Sequence, residues 1–175
     1  MRLQGNILTR WRRGFTLVEV LIVITILGIL ATIVIPQFST ASETTRENTL
    51  KDEMRYLRTQ LAVYKAQHED RAAGYPGGVV TATPTEAALV AQLTMHTDVT
   101  GNTSATATAT FKFGPYLSQM PANPINGLNT VRVVPNGAAM PAPDGSTGFI
   151  YKPQTLEIIP NLTGTDSAGV AYASY

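Results

Sequence analysis

The chain has 175 residues, enough for one globular domain and an added anchoring segment. It contains no cysteine, which excludes disulfides and thiolate metal sites. The formal charge of +1 hides an uneven distribution: Arg2, Arg10, Arg12 and Arg13 stand in the first fourteen positions without an acid, and nine basic against twelve acidic residues follow. A mildly acidic body lacks the clustered basic surface of a nucleic-acid binder, so no nucleic-acid partner is expected.

Residues 15–35 read FTLVEVLIVITILGILATIVI, apolar on every helical face with Glu19 as the single charge. A helix of this length spans roughly 30 Å, the thickness of a bilayer's hydrocarbon core. Arg10, Arg12 and Arg13 lie just before it, so the positive-inside rule predicts a cytoplasmic amino terminus and an exported remainder. An ordinary single-pass anchor is one reading. A secretory signal cut near Ser39-Thr40-Ala41 is another, but such apolar regions usually run about 7–15 residues. Neither reading explains Glu19. An intramembrane carboxylate costs roughly 2.5–3.5 kcal/mol on insertion scales, less near a helix end, and marks a functional position.

Arg13-Gly14-Phe15-Thr16-Leu17-Val18-Glu19 resembles the processing motif of type IV prepilins and type II secretion pseudopilins. The resemblance implies cleavage between Gly14 and Phe15 by an inner-membrane prepilin peptidase, with N-methylation of the new terminus at Phe15. It makes Glu19 the fifth residue of the mature chain, where that family keeps a glutamate for assembly. The family's account pairs Glu19 of an incoming subunit with the Phe15 amine of its neighbour. Phe15 and Glu19 are also spaced i, i+4 on one helix, and the sequence allows both pairings. Gly28 and Pro36 match the glycine and proline of the family's anchor helix, a stretch that loosens in assembled filaments. Proline removes a backbone hydrogen bond and crowds the preceding turn, so a kink or boundary is expected at Pro36.

From Ser42 to about Arg71 the pattern becomes amphipathic. Leu50, Met54, Leu57, Leu61 and Tyr64 form one stripe, suited to docking a head against its own stalk. Glu47 and Lys51 form an expected i, i+4 ion pair, and Gly74-Tyr75-Pro76-Gly77-Gly78 ends the helix. Thr83-Pro84-Thr85-Glu86 reads as a capping box with Thr83 as cap, opening a short helix that ends near Met95 with Ala87, Val90 and Leu93 on one face. Residues 98–110, rich in Thr, Ala and Gly, read as a flexible or edge segment. Strands are expected at 130–134, 148–152 and 155–159, the last two joined through Pro153-Gln154. The fold class is α+β: a long amino-terminal helix packed against a small antiparallel sheet. The expected divisions are a leader at 1–14, a membrane and assembly helix at 15–36, a stalk helix at 37–73 and a periplasmic head at 74–175.

Gly114-Pro115-Tyr116-Leu117, with Pro121-Ala122-Asn123-Pro124-Ile125-Asn126-Gly127, resembles a loop of the major pseudopilins of type II secretion. Gly148-Phe149-Ile150-Tyr151 through Pro160-Asn161 resembles the strand pair of pseudopilin heads. Major pseudopilins bind calcium through an acid-bearing loop near the carboxy terminus. Only Gly164-Thr165-Asp166-Ser167 corresponds here, with few acids for an ion that takes six to eight oxygens, so a plain exposed turn is expected.

No metal, cofactor or catalytic residue is expected. His68, assigned to the polar side of the helix, and His96 have no metal-ligand spacing, and no nucleophile elbow or phosphate-binding loop occurs. The reading is a structural filament subunit, a pseudopilin supporting protein export, and not an enzyme. Its expected partners are prepilin peptidase, copies of itself and other pilin-like subunits in a helical filament, inner-membrane assembly machinery, and membrane lipid before assembly. The alternatives are a subunit of a surface type IV pilus serving adhesion, motility or DNA uptake, and a monomeric membrane-anchored binding module.

Overall fold

A computed structural model describes residues 14–175, so the four leader arginines lie outside the described residues. The chain divides into two units between Ser42 and Glu43. A single helical assignment, α1 (Leu17–Gln67), contributes its first part to one unit and the remainder to the other.

In the amino-terminal unit, α1 is apolar and exposed from Leu17 to Val34, long and apolar enough to cross a membrane. Its polar groups are satisfied locally, as a lipid environment demands. The Thr25 hydroxyl donates to the Leu21 carbonyl (2.7 Å), and that of Thr32 to the Ile29 carbonyl (2.7 Å). Pro36 lies inside α1, so the helix has no boundary there.

In the second unit α1 buries the expected stripe. Leu50, Met54, Leu57, Leu61 and Tyr64 are at most 1% exposed, and each fully buried leucine contributes about 1.5–3 kcal/mol relative to exposure. The same 3–4 period continues to Glu47 at one end and His68 at the other, both buried. The helix stops at Gln67, short of Arg71 and of the glycine-rich turn expected to end it. Glu69 turns left-handed (φ 52°), and the Asp70 N–H donates to the Lys65 carbonyl (3.1 Å), the bond of a Schellman cap with glutamate in the usual glycine position. His68 is buried rather than solvated. Its ring stacks on Tyr64 at 3.8 Å, Nδ1 bonds the Tyr64 carbonyl (2.7 Å) and Nε2 bonds Thr97 Oγ1 (2.8 Å). A ring donating from Nδ1 to a carbonyl is the neutral tautomer that accepts from the threonine hydroxyl at Nε2.

The second helix, α2 (Glu86–Thr94), begins later than the capping box predicted. Thr85 is the cap, accepting the Ala88 N–H (3.2 Å), while Glu86 accepts the Val131 N–H (2.7 Å). Leu89, Gln92 and Leu93 face inward, so the expected face keeps Leu93, while Ala87 is exposed and Val90 half-buried. Gln92 accepts the Gly74 N–H (2.7 Å) and donates to the carbonyls of Tyr75 (2.7 Å) and Gly101 (2.9 Å). That knot ties α2 to the glycine-rich turn. A Cβ at Gly78 would lie 1.5 Å from the Thr100 carbonyl oxygen, so only glycine fits.

Strands β1 (His96–Thr97) and β2 (Thr103–Ser104) pair antiparallel around a turn held by Asp98. Burial opposes charge on Asp98, but bonds from Asn102 and Thr100 hold its carboxyl down at about 2. Residues 105–110 are exposed and outside any strand. The main sheet contains β3 (Val131–Val133), β4 (Phe149–Lys152) and β5 (Glu157–Pro160), in that spatial order. The fold is α+β, but the sheet is mixed: β4 and β5 form the expected antiparallel hairpin, whereas β3 runs parallel to β4. The segment 134–148 makes the return that a parallel pair requires. Phe149, Ile150 and Tyr151 of central β4 are fully buried. The hairpin turns through Leu156 (φ 57°), whose N–H donates to the Pro153 carbonyl (3.2 Å).

Two buried asparagines lock the loops around β4. Asn123 donates to the Gly148 carbonyl (2.9 Å), and Asn161 accepts the N–H groups of Asp144 and Gly145. The asparagine-glycine loop is therefore a clamp on the sheet: Gly127 (φ 74°) closes it by donating to the Asn123 carbonyl.

Candidate functional site

The described chain begins at Gly14, and residues 14–16 are not helical. Helix α1 opens at Leu17 with Thr16 as its cap, and Glu19 is the third helical residue. The N–H groups at a helix start lack partners within the helix, and a T-x-x-E sequence supplies acceptors for two backbone N–H groups reciprocally. The Thr16 hydroxyl oxygen accepts the Glu19 N–H (3.2 Å). In return, Glu19 Oε2 accepts the Thr16 N–H (2.8 Å) and the Thr16 hydroxyl (2.8 Å). Thr16 escaped the sequence reading, although the capping-box spacing was there to be read.

This arrangement places a carboxylate at the positive end of the helix dipole, where its charge is favoured. It also satisfies Glu19 within its own first turn, next to side chains that expose apolar surface throughout. Phe15 is 85% exposed, the highest value among the large apolar side chains described. A Cβ at Gly14 or at Gly28 would meet no described atom within 4 Å, so packing against the described residues requires neither glycine. Gly14, Phe15 and Glu19 thus gather at the start of α1. Gly28 and Pro36 lie further along the helix and are not brought to the same place.

The prokaryotic N-terminal methylation motif matches residues 12–35, which contain the whole of this geometry. This amino terminus is similar to that of a type IV pilin-like prepilin. The chain is 36% identical over 56 residues to type II secretion system core protein G of Pseudomonas aeruginosa, a stretch covering 32% of this chain. The match spans 39% of that relative's length. No solved structure matches the chain.

The head offers a cleft of about 360 Å³, lined by Glu43, Arg46, Glu47, Ile125 and Asp166 among others. Two of its acids, Glu47 and Asp166, are engaged in holding the carboxy-terminal loop. Glu47 accepts the Ser167 N–H (2.8 Å) and hydroxyl (2.7 Å), and Lys51 bonds Asp166 (3.0 Å), so the expected Glu47–Lys51 pairing is replaced by two long-range contacts. His96 stands in β1, and no group of three His, Cys, Asp or Glu among the described residues is arranged to hold a metal.

Proposed function

We propose that the chain is a structural filament subunit, a pseudopilin of a type II secretion pseudopilus that supports protein export. The observation that carries this reading is the Glu19 carboxylate. It sits in the first turn of an unburied apolar helix, two residues into α1 and five past Gly14. Capping the helix is the use that its own chain makes of this carboxylate; its place five residues past Gly14, beside the junction that would become a new amino terminus, is what suits it to a neighbouring subunit's amine.

In this reading the precursor inserts through Leu17–Val34 with its amino terminus in the cytoplasm and its head in the periplasm. Prepilin peptidase cuts between Gly14 and Phe15, and Phe15 is N-methylated. Before assembly, lipid surrounds the span and the capping box keeps the Glu19 carboxylate hydrogen-bonded. Cleavage creates a cationic amine at Phe15, unfavourable at a helix start, and the carboxylate of another subunit compensates it. Glu19 thereby sets the register, while the apolar faces of Leu17–Val34 supply lateral contact. One repeated contact that does not close on itself builds a helical fibre from copies of this chain and other pilin-like subunits.

Mass spectrometry of the mature protein tests the processing step. A chain starting at methylated Phe15 is expected; one starting at Met1 or Ser42 sinks the reading. Deleting the protein should abolish export of secreted enzymes, whereas loss of surface fibres with twitching or adhesion would assign it to a surface pilus instead.

A further inference from the structure

The carboxy-terminal loop closes around a buried carboxylate. Asp166 has a side chain only 1% exposed, whereas its neighbours 163–165 and 167–170 are exposed. The plain surface turn expected from the sequence is therefore an inward anchor. Asp166 Oδ1 accepts the N–H groups of Ala168 (2.9 Å) and Val170 (2.8 Å). Oδ2 accepts the Lys51 ammonium (3.0 Å) and the Tyr175 hydroxyl. The same ammonium lies 4.5 Å from the centre of the Tyr175 ring, and Arg58 donates to the Tyr175 carbonyl. Glu47, one turn before Lys51, takes the Ser167 N–H and hydroxyl, and Tyr172 adds its hydroxyl (3.4 Å).

We infer that Lys51 is a built-in cation that closes the 164–175 loop onto α1, so that this loop holds its shape without a divalent ion. Calcium is the ion that the resemblance to major pseudopilins implies for such a loop, and the residues present do not fit it. Calcium requires six to eight oxygen ligands, usually several of them carboxylates. Asp166 is the one acid in the loop, and the groups around it are hydrogen donors: two backbone N–H groups, an ammonium and a phenol. Their positive ends point at the position a metal ion would need. The Glu47 oxygens are likewise turned to the donors of Ser167 and Tyr172. A buried carboxylate needs a compensating charge, and a tethered ammonium with a cation–π contact supplies it from the chain itself. The titration behaviour agrees from both sides. Hydrogen bonds from Tyr175 and Val170, against a desolvation penalty and with help from Lys51, hold the Asp166 carboxyl well below the usual range; Asp166 and Tyr175 raise the Lys51 ammonium. Unlike a bound ion, this cation cannot be removed by a chelator or by low calcium.

The inference does not depend on the filament reading, and its test uses the detergent-solubilised full chain. Thermal unfolding is followed in excess chelator and in millimolar calcium, with hydrogen exchange read at the Ala168 and Val170 amides. The native chain is expected to melt at the same temperature in both. Lys51→Met should lower that temperature by several degrees and speed exchange at both amides by tenfold or more, whereas Lys51→Arg should keep most of the protection. A rise in the native melting temperature with calcium overturns the inference. So does native protection of these amides in Lys51→Met.

Discussion

Leu17–Val34 and the stripe from Glu47 to His68 are parts of one helical assignment, yet they satisfy their polar groups in opposite ways. In the first, the side-chain hydrogen bonds among the described residues are local: Glu19 to Thr16, Thr25 to Leu21, Thr32 to Ile29. In the second, buried polar side chains also reach partners far away in sequence, with Glu47 bonded to Ser167, Lys51 to Asp166 and His68, besides its bond to Tyr64, to Thr97. A helix whose surroundings are lipid has no outside donor to call on, so it must be self-sufficient. A helix that nucleates a head can spend its polar residues on other segments. The first part presents apolar side chains all round; the second presents one buried stripe. Under the proposed filament reading, the contrast separates residues left for a partner chain from residues already consumed by their own fold.

Glu19→Ala tests that separation most severely. The variant should insert and be processed normally, while filament yield falls by tenfold or more; native yield by electron microscopy or crosslinking would remove the register role from Glu19. The corresponding break in the head is Leu57→Ala. It deletes a fully buried side chain and should cost about 2–5 kcal/mol in denaturant unfolding, with membrane insertion unchanged.

His68 gives an intermediate effect with a defined sign. Burial lowers its pKa below the ordinary value, outweighing the opposing bond to the Tyr64 carbonyl and the nearby Asp98 charge. The unfolded chain then binds a proton that the folded head resists, so this stabilisation is complete above about pH 6.5 and declines as pH falls below it. His68→Gln should flatten the slope of stability below about pH 6.5, at some cost in overall stability; an unchanged slope would locate the acid sensitivity elsewhere. The smallest effect separates two neighbouring threonines. Thr85→Ala removes a cap and should cost about 1 kcal/mol by thermal unfolding, whereas Thr83→Ala should lie within about 0.5 kcal/mol of the native chain.

Much of this was legible in the chain. The stripe from Leu50 to Tyr64 could be counted because a helix repeats every three to four residues and burial follows apolar character. Its extension to Glu47 and His68 obeys the same period, but their polarity argued for solvent, and only their distant donors and acceptors reverse that. The α2 cap was misplaced because Thr83 and Thr85 offer equivalent hydroxyls, and Glu86 was assigned to a capping box when its carboxylate serves the backbone of β3. The sheet was read as antiparallel throughout because strand patterns carry no direction: β3 pairs parallel to β4 through the route of segment 134–148, which hydrophobic alternation does not encode.

Composition and spacing by themselves determined the apolar span, the charge asymmetry around it and the position of Glu19 after Gly14 and Phe15. Those features are local and depend on a uniform environment, so adjacent residues suffice to specify them. Tertiary structure alone decided that Asp166 is buried and partnered by Lys51. Those residues are 115 positions apart, and burying a carboxylate is favourable only where the fold delivers a cation and N–H donors to the same point.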